Sequence, residues 1–75
     1  MPTELQIAWG HRLREVRTER DMSGSELAKK AGVTRQHIQR IETGQTAVSD
    51  DVRIAIASAL GVEVNAIFDY AQAGA

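Results

Sequence analysis

The chain has 75 residues, nine Lys or Arg against ten Asp or Glu, two His, and a formal charge of −1. That length holds one domain, expected over residues 1–75 with a packed part of about 4–70, and its core must be thin. The absence of Cys excludes a disulfide framework, a thiolate zinc site and a thiol nucleophile.

Hydrophobic residues make up 43% of the chain, with one Trp, one Tyr and one Phe, a globular rather than a disordered composition. The apolar run Ile54 to Leu60 is interrupted by Ser58 and is too short to cross a bilayer. No basic stretch followed by an apolar one opens the chain, so a cytoplasmic protein without an export signal is expected. The total charge does not point to nucleic acid, but its distribution is uneven. Residues 11–40 carry eight Lys or Arg against four acids, a net +4, whereas the rest sets Arg53 against six acids, a net −5. A small total charge can therefore coexist with a basic face.

Helix signals dominate in chain order. Thr3 and Gln6 form a capping-box pair, and Leu5, Trp9, Leu13 and Val16 then follow one helical face, predicting a first helix to about Arg20. Ser23 and Glu26 form a second such box, opening a short helix whose buried side is Leu27, Ala28 and Ala31 and whose stop is Gly32. Thr34 caps a third helix over Arg35 to Thr43, ended by Gly44. After a loop from Gln45 to Val48, Ser49 caps a fourth helix with Asp50 and Asp51 in its first turn, where acids suit the helix dipole, and Gly61 ends it. A fifth short helix is predicted from about Val64 to Tyr70, and residues 71–75 are expected to form a frayed tail. The expected fold is all-α, with five helices.

The two short helices around Gly32 have the spacing of a helix-turn-helix. At about 100° per residue, Ile38, Ile41 and Glu42 fall on one side of the third helix, and Arg35, Gln36, Gln39, Arg40 and Thr43 on the other. That outer side holds no acid. Arg can donate two parallel hydrogen bonds to guanine, and Gln can donate to and accept from adenine, so these side chains are candidates for reading base edges.

Over Arg14 to Phe68 the chain resembles the Cro/repressor-type (lambda-repressor-like, XRE) helix-turn-helix domain. The resemblance is carried by Leu-Arg-Glu-Val-Arg, Ser-Gly-Ser-Glu-Leu-Ala-Lys-Lys-Ala-Gly-Val-Thr, Ile-Gln-Arg-Ile-Glu-Thr-Gly and Ala-Leu-Gly-Val. It implies a five-helix fold with the third helix in the major groove of double-stranded DNA. Arg35, Gln36 and Gln39 then face bases, and Arg40 faces bases or phosphate. Ser23, Gly24, Ser25, Thr34, His37, Thr43, Gln45 and Thr46 are the phosphate-contact candidates, and for His37 a half-buried position without function stands equally open. The resemblance further implies an Arg17–Glu42 structural pair, consistent with Glu42 lying beside the core face, where a lone carboxylate is costly.

The chain departs from the family pattern in three places. Gly24 stands where a phosphate-binding Gln is frequent, the loop from Gln45 to Ser49 carries no cation, and Arg53 replaces a more usual apolar residue. The first two predict a shallow salt dependence, because the slope counts neutralised phosphates.

His11 and His37 lie on different helices with no metal-ligand spacing, no phosphate-cradling glycine loop is present, and no hydroxyl has a base and an orienting group beside it. Neither a metal, a cofactor, a small-molecule ligand nor an enzymatic activity is expected. Ile7, Phe68 and Tyr70 are apolar groups that the core pattern does not absorb. Val64, Phe68 and Tyr70 are the candidate homodimer surface, in line with the homodimers the resemblance implies, and for Phe68 and Tyr70 incidental exposure stands equally open. The expected function is a transcriptional regulator, a homodimer on a two-fold symmetric operator, in a phage, restriction-modification or antitoxin setting. The alternative is a helical protein-interaction module or antitoxin-type domain whose main partner is another protein.

Overall fold

The computed structural model describes residues 3–70, and the expected tail at 71–75 lies outside them. Helix α1 spans Glu4–Glu19, α2 Gly24–Ala31, α3 Arg35–Glu42 and α4 Asp50–Leu60. No strand occurs among the described residues. Each helix starts where a hydroxyl takes up an amide that lacks a helical partner. Thr3 Oγ1 accepts from Gln6 N at 3.1 Å and Ser23 Oγ from Glu26 N at 3.1 Å, with Gln6 and Glu26 reaching back to complete both boxes. Thr34 Oγ1 accepts from His37 N at 3.0 Å, and Ser49 Oγ accepts from Val52 N at 3.4 Å. The turn between α2 and α3 needs the left-handed backbone of Gly32, at φ 74°, a region that a side chain would strain. Arg20 and Thr43 are the C-caps of α1 and α3 rather than their last helical residues.

The fifth helix is a correction. Val64–Ala66 form one turn of 3₁₀ helix, and among the described residues no α-helix follows it and no side chain caps the turn at Glu63. Two carbonyls of this segment are held from a distance: Arg12 Nε donates to Ala66 O, which Tyr70 N would use in a continuing helix, at 2.9 Å, and Trp9 Nε1 donates to Asp69 O at 3.1 Å. The segment is therefore tied to α1 through its backbone.

Leu13, Leu27, Ile38, Ile41, Ile56, Ile67 and Phe68 are fully buried, drawing the core from all four helices and from the segment after the 3₁₀ turn. Phe68, 1% exposed, packs edge-to-face on Trp9 with ring centroids 5.4 Å apart, which removes it from the candidate dimer surface. Of the other apolar groups, Tyr70 is 65% and Ile54 58% exposed, with Ile7 at the exposed margin.

Helix α2 packs against α3 and α4, while α1 packs against α3. The α1–α3 crossing is close because Gly10 has no side chain. A Cβ there would lie 2.6 Å from Glu42 O and closer still to Ile41 O, both backbone atoms.

Candidate nucleic-acid interface

Helix α3 is held by its inner face and presents its outer one. Ile38 and Ile41 are buried, while Arg35, Gln36, Gln39, Arg40 and Thr43 are exposed. The four base-edge candidates therefore share one solvent-facing surface. Among the described residues their side chains carry no ion pair or hydrogen bond, so their donors and acceptors are available to a ligand.

The flanking candidates fall on both sides of that surface. Ser23, Gly24 and Ser25 open α2, with Gly24 half-buried. Thr34 Oγ1 accepts a backbone N–H, which leaves its hydroxyl hydrogen free to donate to an anion, whereas the Ser23 hydroxyl, accepting from Glu26 N, also bonds the Glu26 carboxyl. Beyond α3, Thr43 Oγ1 donates to Gln39 O or Arg40 O at 3.1 and 3.2 Å, and Gln45 N donates to Arg40 O at 2.9 Å. Gln45 is exposed, Thr46 is half-buried with its hydroxyl donating to Ala47 O, and His37 is half-buried.

Arg17 joins three elements. Its Nε donates to Glu42 Oε2 at 2.6 Å, Nη2 to Glu42 Oε1 at 3.1 Å, and Nη1 to Met22 O at 2.8 Å. The two side chains are only 17% and 12% exposed. The hydrogen bond to Glu42 lifts the Arg17 guanidinium further above its ordinary range, outweighing the opposing effect of burial. This pair links α1, the α1–α2 turn and the end of α3, and it cancels the carboxylate nearest the outer face of α3.

Two features escaped the sequence reading. Arg14 lies one helical turn before Arg17 and reaches a cleft of about 400 Å³ shared with Gly24, Arg35, Gln39 and Thr43. The spacing of three between Arg14 and Arg17 was the available signal. Arg53 fills its unusual position by lying 5.1 Å from the Trp9 ring centroid and 5.6 Å from that of Tyr70. It donates to Tyr70 Oη at 2.7 Å and forms an ion pair with Asp50. Arg53 thus works inside the fold, and it neutralises one of the two acids beside the loop.

Among the described residues, no three His, Asp or Glu side chains group as metal ligands, and no helix is long and apolar enough to cross a membrane.

Residues 13–67 match the HTH_3 family model, described as Helix-turn-helix. The restriction-modification controller protein C.AhdI from Aeromonas hydrophila has a similar fold at TM-score 0.82 and 35% identity, over 84% of this chain and 96% of that one. The clp gene regulator ClgR from Corynebacterium glutamicum is similar at TM-score 0.82 and 27% identity, over 93% of this chain and 88% of that one. A Pyrococcus furiosus protein, named as an inferred HTH-type transcriptional regulatory protein, is 49% identical over 45 residues. That match covers 60% of this chain and 14% of the longer protein, so the chain spans a small part of that relative.

Proposed function

Since the chain belongs to the HTH_3 helix-turn-helix family, a family of transcriptional regulators rather than enzymes, we propose that it is a sequence-specific binder of double-stranded DNA. The observation that carries this reading is the outer face of α3: Arg35, Gln36, Gln39 and Arg40 are exposed together, unpaired and without an acid among them. Such a face suits the major groove, where Arg discriminates guanine and Gln discriminates adenine. Ser23, Gly24, Ser25 and Thr34 on one flank, with His37, Thr43, Gln45 and Thr46, would set the register against phosphates.

The proposed working form is a homodimer, through the exposed Ile54 and Tyr70 and the half-buried Val64, on an operator with two-fold symmetry. Two half-sites about one helical turn apart multiply the discrimination of a reader whose single copy presents eight residues of recognition helix. The second reading is a protein-interaction module, favoured by the uncharged loop from Gln45 to Ser49 and the exposed Ile54 and Tyr70.

Selection from random duplex DNA, followed by competition against random duplex at several salt concentrations, separates the two. The DNA reading expects enriched sites with two-fold symmetry and a clear preference over random duplex. Affinity for every enriched sequence within a few-fold of random duplex refutes sequence reading, and enrichment of single half-sites refutes the homodimer.

A further inference from the structure

We propose that the groove between α4 and the segment from Val64 to Tyr70 docks a short segment of another protein, one in which a large apolar side chain is flanked by Lys or Arg. The docking rests on the protein-interaction reading above and gives that partner its chemistry. It uses no residue of α3, so the face that would meet DNA stays free.

The groove gathers the exposed apolar surface. It holds about 350 Å³ and is lined by Ile54, Val64, Phe68 and Tyr70, together with Asn65 and the Asp50–Arg53 pair. Ile54 and Tyr70 are the two most exposed large hydrophobic residues among the described ones. Scattered exposure would need no explanation, but these two converge on one site.

Charge decides the occupant. Residues 50–70 set Asp50, Asp51, Glu63 and Asp69 against Arg53, a net −3. Arg53 pairs with Asp50, donates to the Tyr70 hydroxyl and lies against the Trp9 ring, so its charge is used within the fold. Asp51 and Glu63 are exposed and form no ion pair among the described residues. Asp51 stands three residues before Ile54, on the same side of α4, and Glu63 immediately precedes Val64. Two of the apolar walls therefore have an acid beside them. Lys or Arg flanking an apolar anchor would meet these acids, whereas nucleic acid and anionic lipid would be repelled. A second copy would bring the same acids to the contact, a juxtaposition of like charges that costs affinity.

The groove is also preformed. Arg12 and Trp9 hold the carbonyls of Ala66 and Asp69, and the Tyr70 ring packs edge-to-face on Trp9 with centroids 5.1 Å apart. An occupant therefore orders few groups of this chain, which lowers the entropic cost of binding. Tyr70 Oη accepts from Arg53 and keeps its hydrogen to donate, and the exposed Asn65 carries both a donor and an acceptor. Both can pair with the backbone of an extended segment.

Ile54, Val64 and Tyr70 also make up the proposed homodimer surface, so the docked segment and a second copy exclude one another. On the homodimer reading, docking would lower operator occupancy without touching α3.

The experiment selects displayed random short peptides against the full chain, then measures labelled selected peptides by fluorescence anisotropy at several salt concentrations. Selected sequences are expected to set Leu, Ile or an aromatic residue beside Lys or Arg. Ile54→Ser should weaken their binding, and because Ile54 is exposed its replacement does not open the core. Asp51→Asn with Glu63→Gln should weaken binding about two- to thirtyfold at low salt, as two rim charges would, and the difference should shrink as salt rises. Glu15→Gln with Asp21→Asn makes the same change of charge on α1 and the turn after it, and should bind as the unmodified protein does. Circular dichroism confirms that each variant is folded.

Enrichment of apolar peptides without cations, or unchanged binding after Asp51→Asn with Glu63→Gln, overturns the basic partner and leaves a protein-interaction site of other chemistry. An equal loss in the Glu15→Gln, Asp21→Asn control shows attraction to overall charge and overturns the groove. If no peptide is enriched, the proposal falls and the protein-interaction reading of this groove falls with it. Loss of self-association in Ile54→Ser, measured by sedimentation, would then assign the groove to a second copy.

Discussion

Removing the Glu42 carboxylate should cost far more stability than sequence preference. Glu42→Ala leaves the Arg17 guanidinium with one of these three hydrogen bonds, that to Met22 O, and without the charge that balances it. Both side chains are less than a fifth exposed, so water compensates only in part. Breaking a buried pair from one side costs about 3–5 kcal/mol, and the residual exposure argues for about 3. For a domain of this size 1 kcal/mol moves Tm by about 4–8 °C, so the melting temperature should fall by about 12–24 °C. Thermal melts followed by circular dichroism measure this, and DNA preference is then measured on protein kept well below its Tm. Glu42→Gln keeps an acceptor but loses the charge and should fall in between. The double variant Arg17→Met with Glu42→Leu should recover much of the loss, because it leaves no charge unpaired. A shift in Glu42→Ala smaller than about 4 °C, the equivalent of 1 kcal/mol, refutes the reasoning, as does a normal melt with altered base preference.

Gly10→Ala should destabilise the fold despite alanine's advantage of about 1 kcal/mol in helix propensity. The new Cβ would meet the Ile41 and Glu42 carbonyls, which are backbone and cannot swing aside; a higher Tm would show that α1 and α3 are not so close. Glu26 accepts the Ser23 N–H at 3.0 Å, and this bond, with the one from the Ser23 side chain, holds its carboxyl below the ordinary value. A lowered folded pKa gives stabilisation that is complete above the ordinary carboxylate pKa and lost as pH falls through the lowered one. Glu26→Gln should therefore flatten the acid limb of a Tm-against-pH curve, and an identical acid limb in both proteins excludes the bond as its source. Arg35→Ala should lose about 1–3 kcal/mol of preference at one base position, whereas Lys29→Ala and Lys30→Ala leave preference unchanged. An equal loss on all operator variants would make Arg35 a phosphate contact.

The four α-helices were legible because their signals are local. A hydroxyl residue three positions before its amide partner opens each of them, and Gly32 and Gly61 end two of them in left-handed backbone. The inward side of α3 followed from the wheel for the same reason, since Ile38 and Ile41 stand three apart. What failed was information carried across the chain. Val64, Ile67 and Phe68 have helical spacing, yet their segment is set by Arg12 and Trp9, hydrogen-bonded to carbonyls 54 and 60 residues away. Phe68 looked uncovered because the ring that covers it, Trp9, belongs to the first helix. Gly10 and Arg53 gave no local sign of their roles, as one depends on the approach of α3 and the other on two aromatic rings from opposite ends of the chain.

The structure also changes what the charge count means. Arg17 and Arg53 are engaged by Glu42 and Asp50, and Arg12 donates to Ala66 O, so three of the basic residues work inside the fold. Arg14 borders the cleft beside α3, and Arg35 and Arg40 stand on its outer side, leaving three exposed arginines at the proposed interface. A protein making about 6–10 phosphate contacts loses roughly a thousandfold or more in affinity across a moderate salt range. One copy with about three cationic contacts would lose much less, and would also bind non-specific DNA weakly. On the proposed reading the balance would shift from charge toward the contacts of Arg35, Gln36, Gln39 and Arg40. Those contacts would act at close range and over a short helix, so useful occupancy would call for the proposed homodimer. Weak non-specific affinity and dependence on that dimer would then be two consequences of the same distribution of arginines.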